Sequence, residues 1–452
     1  MADLSSPIYS EKDEKPTLVS CGRLPDGQLS HHQLSKKGDS SADIEIVQNT
    51  EGATSAKKAF LLLIKAFIGT GVLFLPKAFS NGGLVVAIAV LFVVAVITSV
   101  AMLLLVKVRL QVPGDFGAIG EKIYGRPMKI VVMISITISQ IGFCCAYFIF
   151  VAQNLNDLTR SLSNCRMDIP VVYFIFLQLV VYMPFSLVRK IKAFSHAALL
   201  ADVFILFGIA YILYRDVDKL ATIGVGKIQY FNTKDYPLFI GTALFSYEGI
   251  GLVLPIVNSM KEPKRFPVVL SSVIVAVTVI FVTVGAMSYS AFGDKTETIV
   301  LLNMPAGHPM TITVQFLYVA AILLTLPLML FPAIDIFEEG IFGTKSGGTS
   351  NMVKWQKNLF RILLCLALAV VAWGGASNLD NFVSLIGGFG CIPLLFIYPA
   401  MFHYKAIATK RLYKVGNLLL IGFGFVVMIF VTYISIRSWA AAEVTNNCLP
   451  RS

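Results

Sequence analysis

Apolar residues dominate the chain between Lys57 and Arg437, in runs of about twenty separated by short polar stretches. A helix needs about 20 apolar residues to cross the hydrocarbon core of a bilayer. The runs therefore predict membrane-spanning helices. Eleven spans are expected, at 58–79, 84–106, 128–154, 171–188, 197–214, 236–258, 266–291, 311–334, 357–374, 379–402 and 415–437.

Composition supports an all-α integral membrane protein. Of the 452 residues, 56% are hydrophobic and 14% are charged, whereas an ordinary soluble domain has roughly 25% charged residues. This balance excludes a soluble enzyme, a secreted disulfide scaffold and a disordered regulator. The net charge of +11 does not indicate a nucleic-acid partner, because the basic residues punctuate the apolar runs and form no single basic face.

The regions outside the apolar runs predict the domain boundaries and the orientation. Residues 1–56 are polar and predict a disordered cytosolic N-terminal tail, without a secretory signal peptide. Residues 57–437 form the transmembrane domain, and 438–452 a short lumenal C-terminal tail. Basic residues concentrate in alternate loops on the side of the N-terminal tail, as the positive-inside rule requires of a cytosolic face. Cys165 and Cys448 then share the opposite side, either bridged or as free thiols.

The first span contains an interruption. Gly69 and Gly71 bracket Thr70 at mid-span, and Pro76 follows five residues later. Glycine and proline weaken the helical hydrogen-bond ladder, and freed backbone groups at membrane depth need a partner. The carboxylate of a small zwitterion suits the N–H groups that begin the second half-helix. We expect a methyl group at either glycine to obstruct that approach.

The sixth span repeats this pattern, with Gly249 and Gly251 at mid-span and Pro255 further on. Two interrupted helices five spans apart indicate an inverted-repeat transporter. Glycine and proline are also common in membrane helices that are merely kinked. Glu248 strengthens the transporter interpretation, because a carboxyl inside a span can avoid the cost of its charge by keeping a proton. A structural hydrogen bond to a neighbouring helix is the alternative.

Asp202 is the other acid in the middle of a span, and a weaker proton-coupling candidate that could pair with His196 or face a cavity. Enzymatic motifs are missing. The histidines have no metal-ligand spacing, and neither a Gly-x-Ser-x-Gly elbow nor a phosphate-binding loop occurs. We expect no enzyme activity, no cofactor and no metal site.

The two interrupted spans carry a resemblance. The run from Ile68 to Phe79 with Asn81-Gly82-Gly83, and the run from Phe245 to Pro255 with Asn258 to Lys261, resemble the amino acid/auxin permease family. Within it the chain most resembles the fungal vacuolar amino-acid exporters, relatives of the animal proton-coupled amino-acid transporters. The resemblance covers residues 57–437.

The resemblance implies a leucine-transporter-type five-plus-five inverted repeat with one extra helix, and proton-coupled amino-acid transport. It implies that substrate lies between the first and sixth spans. The implied substrate-binding residues are Ile68, Gly69, Thr70, Gly71, Phe245, Ser246, Tyr247 and Gly249, with Glu248 as the proton-coupling residue. Several relatives have Asn where this chain has Phe67, so an amide contact is lost here.

The sequence thus predicts a secondary active transporter that exports neutral amino acids from an acidic vacuole, with amino acids, protons and the lipid bilayer as partners. Two alternatives remain: a plasma-membrane proton-coupled importer, and a non-transporting amino-acid sensor.

Overall fold

The computed structural model describes residues 54–163, 166–167, 169–189, 192–343 and 351–441. The side chains of 192–196 and 440–441 are outside this description. Most of the two predicted tails, the loop cysteines Cys165 and Cys448, and the side chain of His196 therefore lie outside the described residues.

The described chain is helical, apart from one isolated parallel bridge between Thr54 and Met260. Helices satisfy every backbone hydrogen bond within their own segment, which the bilayer interior demands. The first half comprises α1 (Ala56–Phe67), α2 (Gly71–Gly82), α3 (Leu84–Gln111), α4 (Phe116–Tyr124), α5 (Arg126–Leu162), α6 (Val171–Leu177), α7 (Leu179–Ser186) and α8 (Lys192–Thr222). The second comprises α9 (Tyr236–Ser246), α10 (Ile250–Ser259), α11 (Phe266–Phe292), α12 (Pro309–Phe342), α13 (Asn351–Gly375), α14 (Leu379–Leu385), α15 (Tyr398–Ala406) and α16 (Arg411–Ala441).

Within the described residues, eight helices are long and apolar enough to cross a membrane, or nine if the bent pair α1–α2 is one span. The apolar stretch Val171–Ser186 is shorter than these. The run Asn351–Ala406 is one of these eight and has 56 residues. A straight helix of that length would measure about 84 Å, whereas the hydrocarbon core of a bilayer is about 30 Å thick. A 3₁₀ turn at Ala376–Asn378 interrupts that run. The described helices thus support eight or nine spans, and eleven stays a prediction.

The first predicted interruption is present in the structure. α1 ends at Phe67, Ile68 takes an extended conformation, and α2 begins at Gly71 with a bend of 54°. The sixth span is interrupted between Ser246 and Ile250, where α9 gives way to α10. Both helix breaks lie at the glycine-containing motifs that predicted them.

Close glycine packing holds the interrupted segments in place. α9 packs along α2, and its other side meets the π-helical turn Ile386–Cys391 that follows α14. A Cβ at Gly387 would lie 1.8 Å from the carbonyl oxygen of Gly241, so no larger residue fits. The tenth-span glycines therefore permit close approach of two helices, as small residues commonly do in membranes.

Candidate functional site

The two helix breaks touch through Gly71 and Ser246. The Ser246 hydroxyl donates to the carbonyl oxygens of Gly71 at 3.3 Å and of Thr242 at 2.9 Å. A Cβ at Gly71 would lie 3.0 Å from both Cα and Oγ of Ser246. A Cβ at Gly69 would meet only the Tyr147 hydroxyl, at 3.9 Å. Protein atoms therefore crowd a methyl group at Gly71 and leave room for one at Gly69, and the expected obstruction of a substrate by either methyl group stays a prediction.

A second contact closes the other side of the breaks. A Cβ at Gly249 would lie 2.8 Å from Cε1 of Phe67, whose side chain is buried. The Phe67 ring is thus in close contact with the backbone of Gly249, the residue that precedes α10. Residue 67 thus presents an apolar ring at the breaks and offers no polar side-chain group to a ligand.

Glu248 lies between these contacts. Its side chain is half-buried, and within the described residues its carboxylate has no hydrogen-bond or ion-pair partner. Tyr147 on α5 and Cys391 in the π-helical turn lie within electrostatic range of it. Tyr147 also interacts with the side chain of Thr70. The structure therefore brings Thr70 and Glu248 together around Tyr147, a residue that sequence reasoning missed because one more aromatic in an apolar span carries no signal.

Other predicted site residues take different positions. The hydroxyl of Tyr247 lies 2.7 Å from that of Thr278 on α11, and its ring pairs with Phe281 at 5.3 Å between centroids. Tyr247 is fully buried, and both of these contacts are with α11. The rings of Phe245 and Phe143 lie 4.5 Å apart between centroids, so Phe245 makes an apolar contact with α5. Ile68 is the buried extended residue of the first break.

Asp202 on α8 has a partner that neither sequence alternative included. Its Oδ2 lies 2.6 Å from the Nζ of Lys65 on α1, and the two side chains are only one quarter to one third exposed. The two opposite charges compensate each other at this distance. Asp202 is therefore engaged in an interhelical ion pair, whereas Glu248 has no such partner.

A polar cavity of about 830 Å³ lies at the α2 end of the interrupted spans. Both signs of charge line it, including Lys77, Asp235 and Asp380, and Asn81 donates to Asp380 at 2.6 Å. At the α1 end the chain is pinned instead: the N–H of Thr54 donates to the carbonyl of Ser259 at 2.9 Å, and that of Lys261 to Thr54 at 3.0 Å. The described residues contain no group of three metal-ligating side chains.

A family model described as transmembrane amino acid transporter protein matches residues 52–437. The chain belongs to this family. It is 47% identical to the vacuolar amino acid transporter 3 of Schizosaccharomyces pombe over 386 residues, which are 85% of this chain and 58% of that protein. The corresponding protein of Saccharomyces cerevisiae is 44% identical, over 86% of this chain and 57% of its own length. The chain thus spans less than two thirds of these yeast relatives.

Another relative matches along nearly its whole length. The amino acid transporter AVT3B of Arabidopsis thaliana is 30% identical over 86% of this chain and 95% of its own. Among solved structures, inward-facing Mhp1 has a TM-score of 0.60 at 13% identity, covering 86% of this chain and 92% of its own. A Na⁺-coupled sialic acid symporter has a TM-score of 0.53 at 13% identity, covering 91% and 94%. At such identities the likeness shows the fold alone, an all-helical membrane transporter fold of leucine-transporter type.

Proposed function

We propose that this chain is a proton-coupled secondary active transporter that exports neutral amino acids from an acidic vacuole to the cytosol. The observation that carries the proposal is the carboxyl of Glu248, which has no partner among the described residues and lies where two helix breaks meet. The names of the yeast and plant relatives, all amino acid transporters, support the substrate class.

In this proposal the substrate lies between the two breaks. The N–H groups of Gly71 and Val72 begin α2 without a carbonyl one turn earlier in the same helix, and they receive the substrate carboxylate. The next N–H, that of Leu73, already donates to the carbonyl of Thr70 at 3.0 Å. Thr70, Ser246 and Gly249 border the same space, and Tyr147 joins them from α5. Tyr247 does not contact the substrate in this proposal but supports these residues through its hydrogen bond with Thr278 on α11.

Glu248 carries the proton in this proposal. Protonated Glu248 is neutral, so closing the site around it costs little. Ionised Glu248 needs water or a cation to compensate its charge. One pH unit across the membrane supplies about 1.4 kcal/mol per proton. Asp202 is a weaker candidate for the same role, because Lys65 already compensates its charge.

The finer topology belongs to the same proposal. Counting Val171–Ser186 as a short span, and dividing Asn351–Ala406 at the turn Ala376–Asn378, raises nine spans to eleven. The order is then five helices, five helices and one extra. The N-terminal tail, 1–56, lies in the cytosol, 57–437 is the transporter domain, and 438–452 is lumenal. The cavity at the α2 end then faces the vacuolar lumen.

The test is uptake of each of the twenty amino acids by proteoliposomes under an imposed pH gradient, with sodium absent and then present. We expect neutral amino acids to accumulate without sodium, and a protonophore to abolish accumulation. Binding without accumulation would instead favour the non-transporting sensor. Location of the full chain at the plasma membrane would favour the importer.

A further inference from the structure

A further acid, Asp216, lies on the same helix as Asp202, nearer to the C-terminal end of α8. Asp216 is completely buried. The hydroxyl of Ser288 on α11 donates to its Oδ2 at 2.5 Å. Its other oxygen, Oδ1, has no hydrogen-bond partner, and no ion pair to Asp216 occurs among the described residues. Neither the proposed substrate site nor the Lys65–Asp202 pair uses this carboxyl.

The charges around Asp216 do not compensate it. α8 packs against α11 and α12, and of the charged groups on these helices only Lys219 acts on the Asp216 carboxyl. The ammonium of Lys219 lies 3.9 Å from the centroid of the Phe292 ring instead.

Several titratable groups of these helices have partners elsewhere. The hydroxyl of Tyr211 lies 2.7 Å from that of Thr311, and that of Tyr289 accepts from the N–H of Gln229 at 2.8 Å. Arg215 pairs with Asp218 at 2.9 Å. His308, the N-cap residue of α12, accepts from the N–H of Met310.

Simple energetics then decide the protonation state. An ionised carboxylate that is fully buried, with one oxygen lacking a donor, costs several kcal/mol. Protonation removes the charge. The neutral acid that remains needs fewer hydrogen-bond partners, and the single hydroxyl of Ser288 largely supplies them. We infer that Asp216 is a proton-binding site, separate from Glu248, that is occupied while α8 and α11 are packed as they are in this structure.

The site lies where the ends of two helices meet a loop. Asp216 and Ser288 lie within the last two turns of α8 and α11. The loop after α8 covers these ends, because Gly226 donates to the carbonyl of Ser290 at 2.8 Å. The same loop reaches the start of α3, where the N–H of Leu84 donates to the carbonyl of Gln229 at 2.8 Å.

Binding and conformation are linked reciprocally. Because the proton is held only in the packed arrangement, this arrangement is favoured at low pH and loses its advantage as the pH rises. This consequence rests on the proposed function, in which this end of the molecule faces the acidic lumen.

The direct test is infrared spectroscopy of the purified full chain between pH 5 and 8, in a Glu248→Gln background that removes the carboxyl at the helix breaks. We expect a carbonyl stretching band of a protonated carboxylic acid that Asp216→Asn removes. Asp218→Asn is the matched control: it lies on the same helix, its side chain is 41% exposed, and its variant should keep the band. Identical spectra with and without Asp216→Asn would overturn the inference.

A second variant keeps the test decisive if Asp216→Asn does not fold. Ser288→Ala removes the hydrogen bond to the carboxyl, so we expect the band to move in frequency, and an unmoved band would count against the site. In proteoliposomes of otherwise native protein, Asp216→Asn should lose the stimulation of transport by lumenal acid, and Asp218→Asn should keep it. A native protein that shows the band but transports nothing would overturn the proposed function and still support the proton site.

Discussion

Two carboxyl groups in the middle of spans, Glu248 and Asp202, show two ways in which a membrane protein accommodates an acid. Asp202 lies 2.6 Å from an ammonium on another helix, which neutralises the pair and ties α8 to α1. Glu248 lies at a helix break with no ion-pair partner in the described residues. A permanently paired acid contributes to structure, whereas an acid without a partner must gain or lose a proton whenever its access to water changes. This difference is the reason why we propose proton coupling for Glu248 and a structural role for Asp202.

The largest expected effect is that of Glu248→Gln, which keeps the shape and removes the titration. A gradient of two pH units is worth about 2.7 kcal/mol per proton, or about a hundredfold accumulation. We expect this accumulation to fall to near onefold in proteoliposomes, with normal folding and insertion. The matched control is Glu262→Gln, because Glu262 is an exposed acid paired with Arg265 at the surface. Full accumulation by the Glu248 variant would remove the proton-coupling role.

The next effect separates the two glycines of the first break. Gly71→Ala must displace the backbone of Ser246, 3.0 Å from the new Cβ, at a cost of about 1–3 kcal/mol. We expect apparent substrate affinity to fall by about tenfold or more. Gly69→Ala has room for its methyl group among the protein atoms, so obstruction of the substrate is its main cost and its loss of affinity should be smaller, about threefold. Equal losses in the two variants would show that helix closure at the break, and not contact with Ser246, is what matters.

Asp202→Asn should reduce stability more than coupling. It leaves the Lys65 ammonium without its partner in a largely buried place, a loss of about 1–3 kcal/mol when the partial exposure is taken into account. We expect a lower melting temperature in detergent and retained pH dependence of transport. The double variant Lys65→Gln/Asp202→Asn should recover part of the stability. A loss of pH-driven transport as complete as that of Glu248→Gln would instead place Asp202 in the proton route.

The smallest expected effect distinguishes two tyrosines. Tyr147→Phe removes a hydroxyl beside Thr70 and Gly69, and should weaken apparent substrate affinity by about 0.5–1.5 kcal/mol without lowering the melting temperature. Tyr247→Phe breaks the hydrogen bond to Thr278, and should lower stability by a similar amount with little change in affinity. The opposite assignment of the two effects would mean that Tyr247, and not Tyr147, contacts the substrate.

The breaks and the contacts across them were not equally predictable. Glycines 69, 71 and 249 and their following prolines are local signals, and the structure interrupts both helices at those positions. Tyr247 lies in the same motif as Glu248, but its side chain is committed to α11. The motif therefore located the break, but it did not show which of its side chains face the space between the breaks.

The amino-acid sequence alone determined the helical membrane architecture, the places where two helices break and the acid at the second break. These follow from local chemistry: the apolar length that lipid requires, the backbone freedom of glycine, and the cost of a carboxyl in hydrocarbon. Only the tertiary structure decided that Lys65 pairs with Asp202, that Tyr147 reaches Thr70, and that Asp216 keeps an oxygen without a donor. A helix such as α3 or α8 is apolar on nearly every side, so its sequence does not reveal which face meets which neighbour. Packing against the other helices fixes that rotation, and with it every contact between residues distant in the chain.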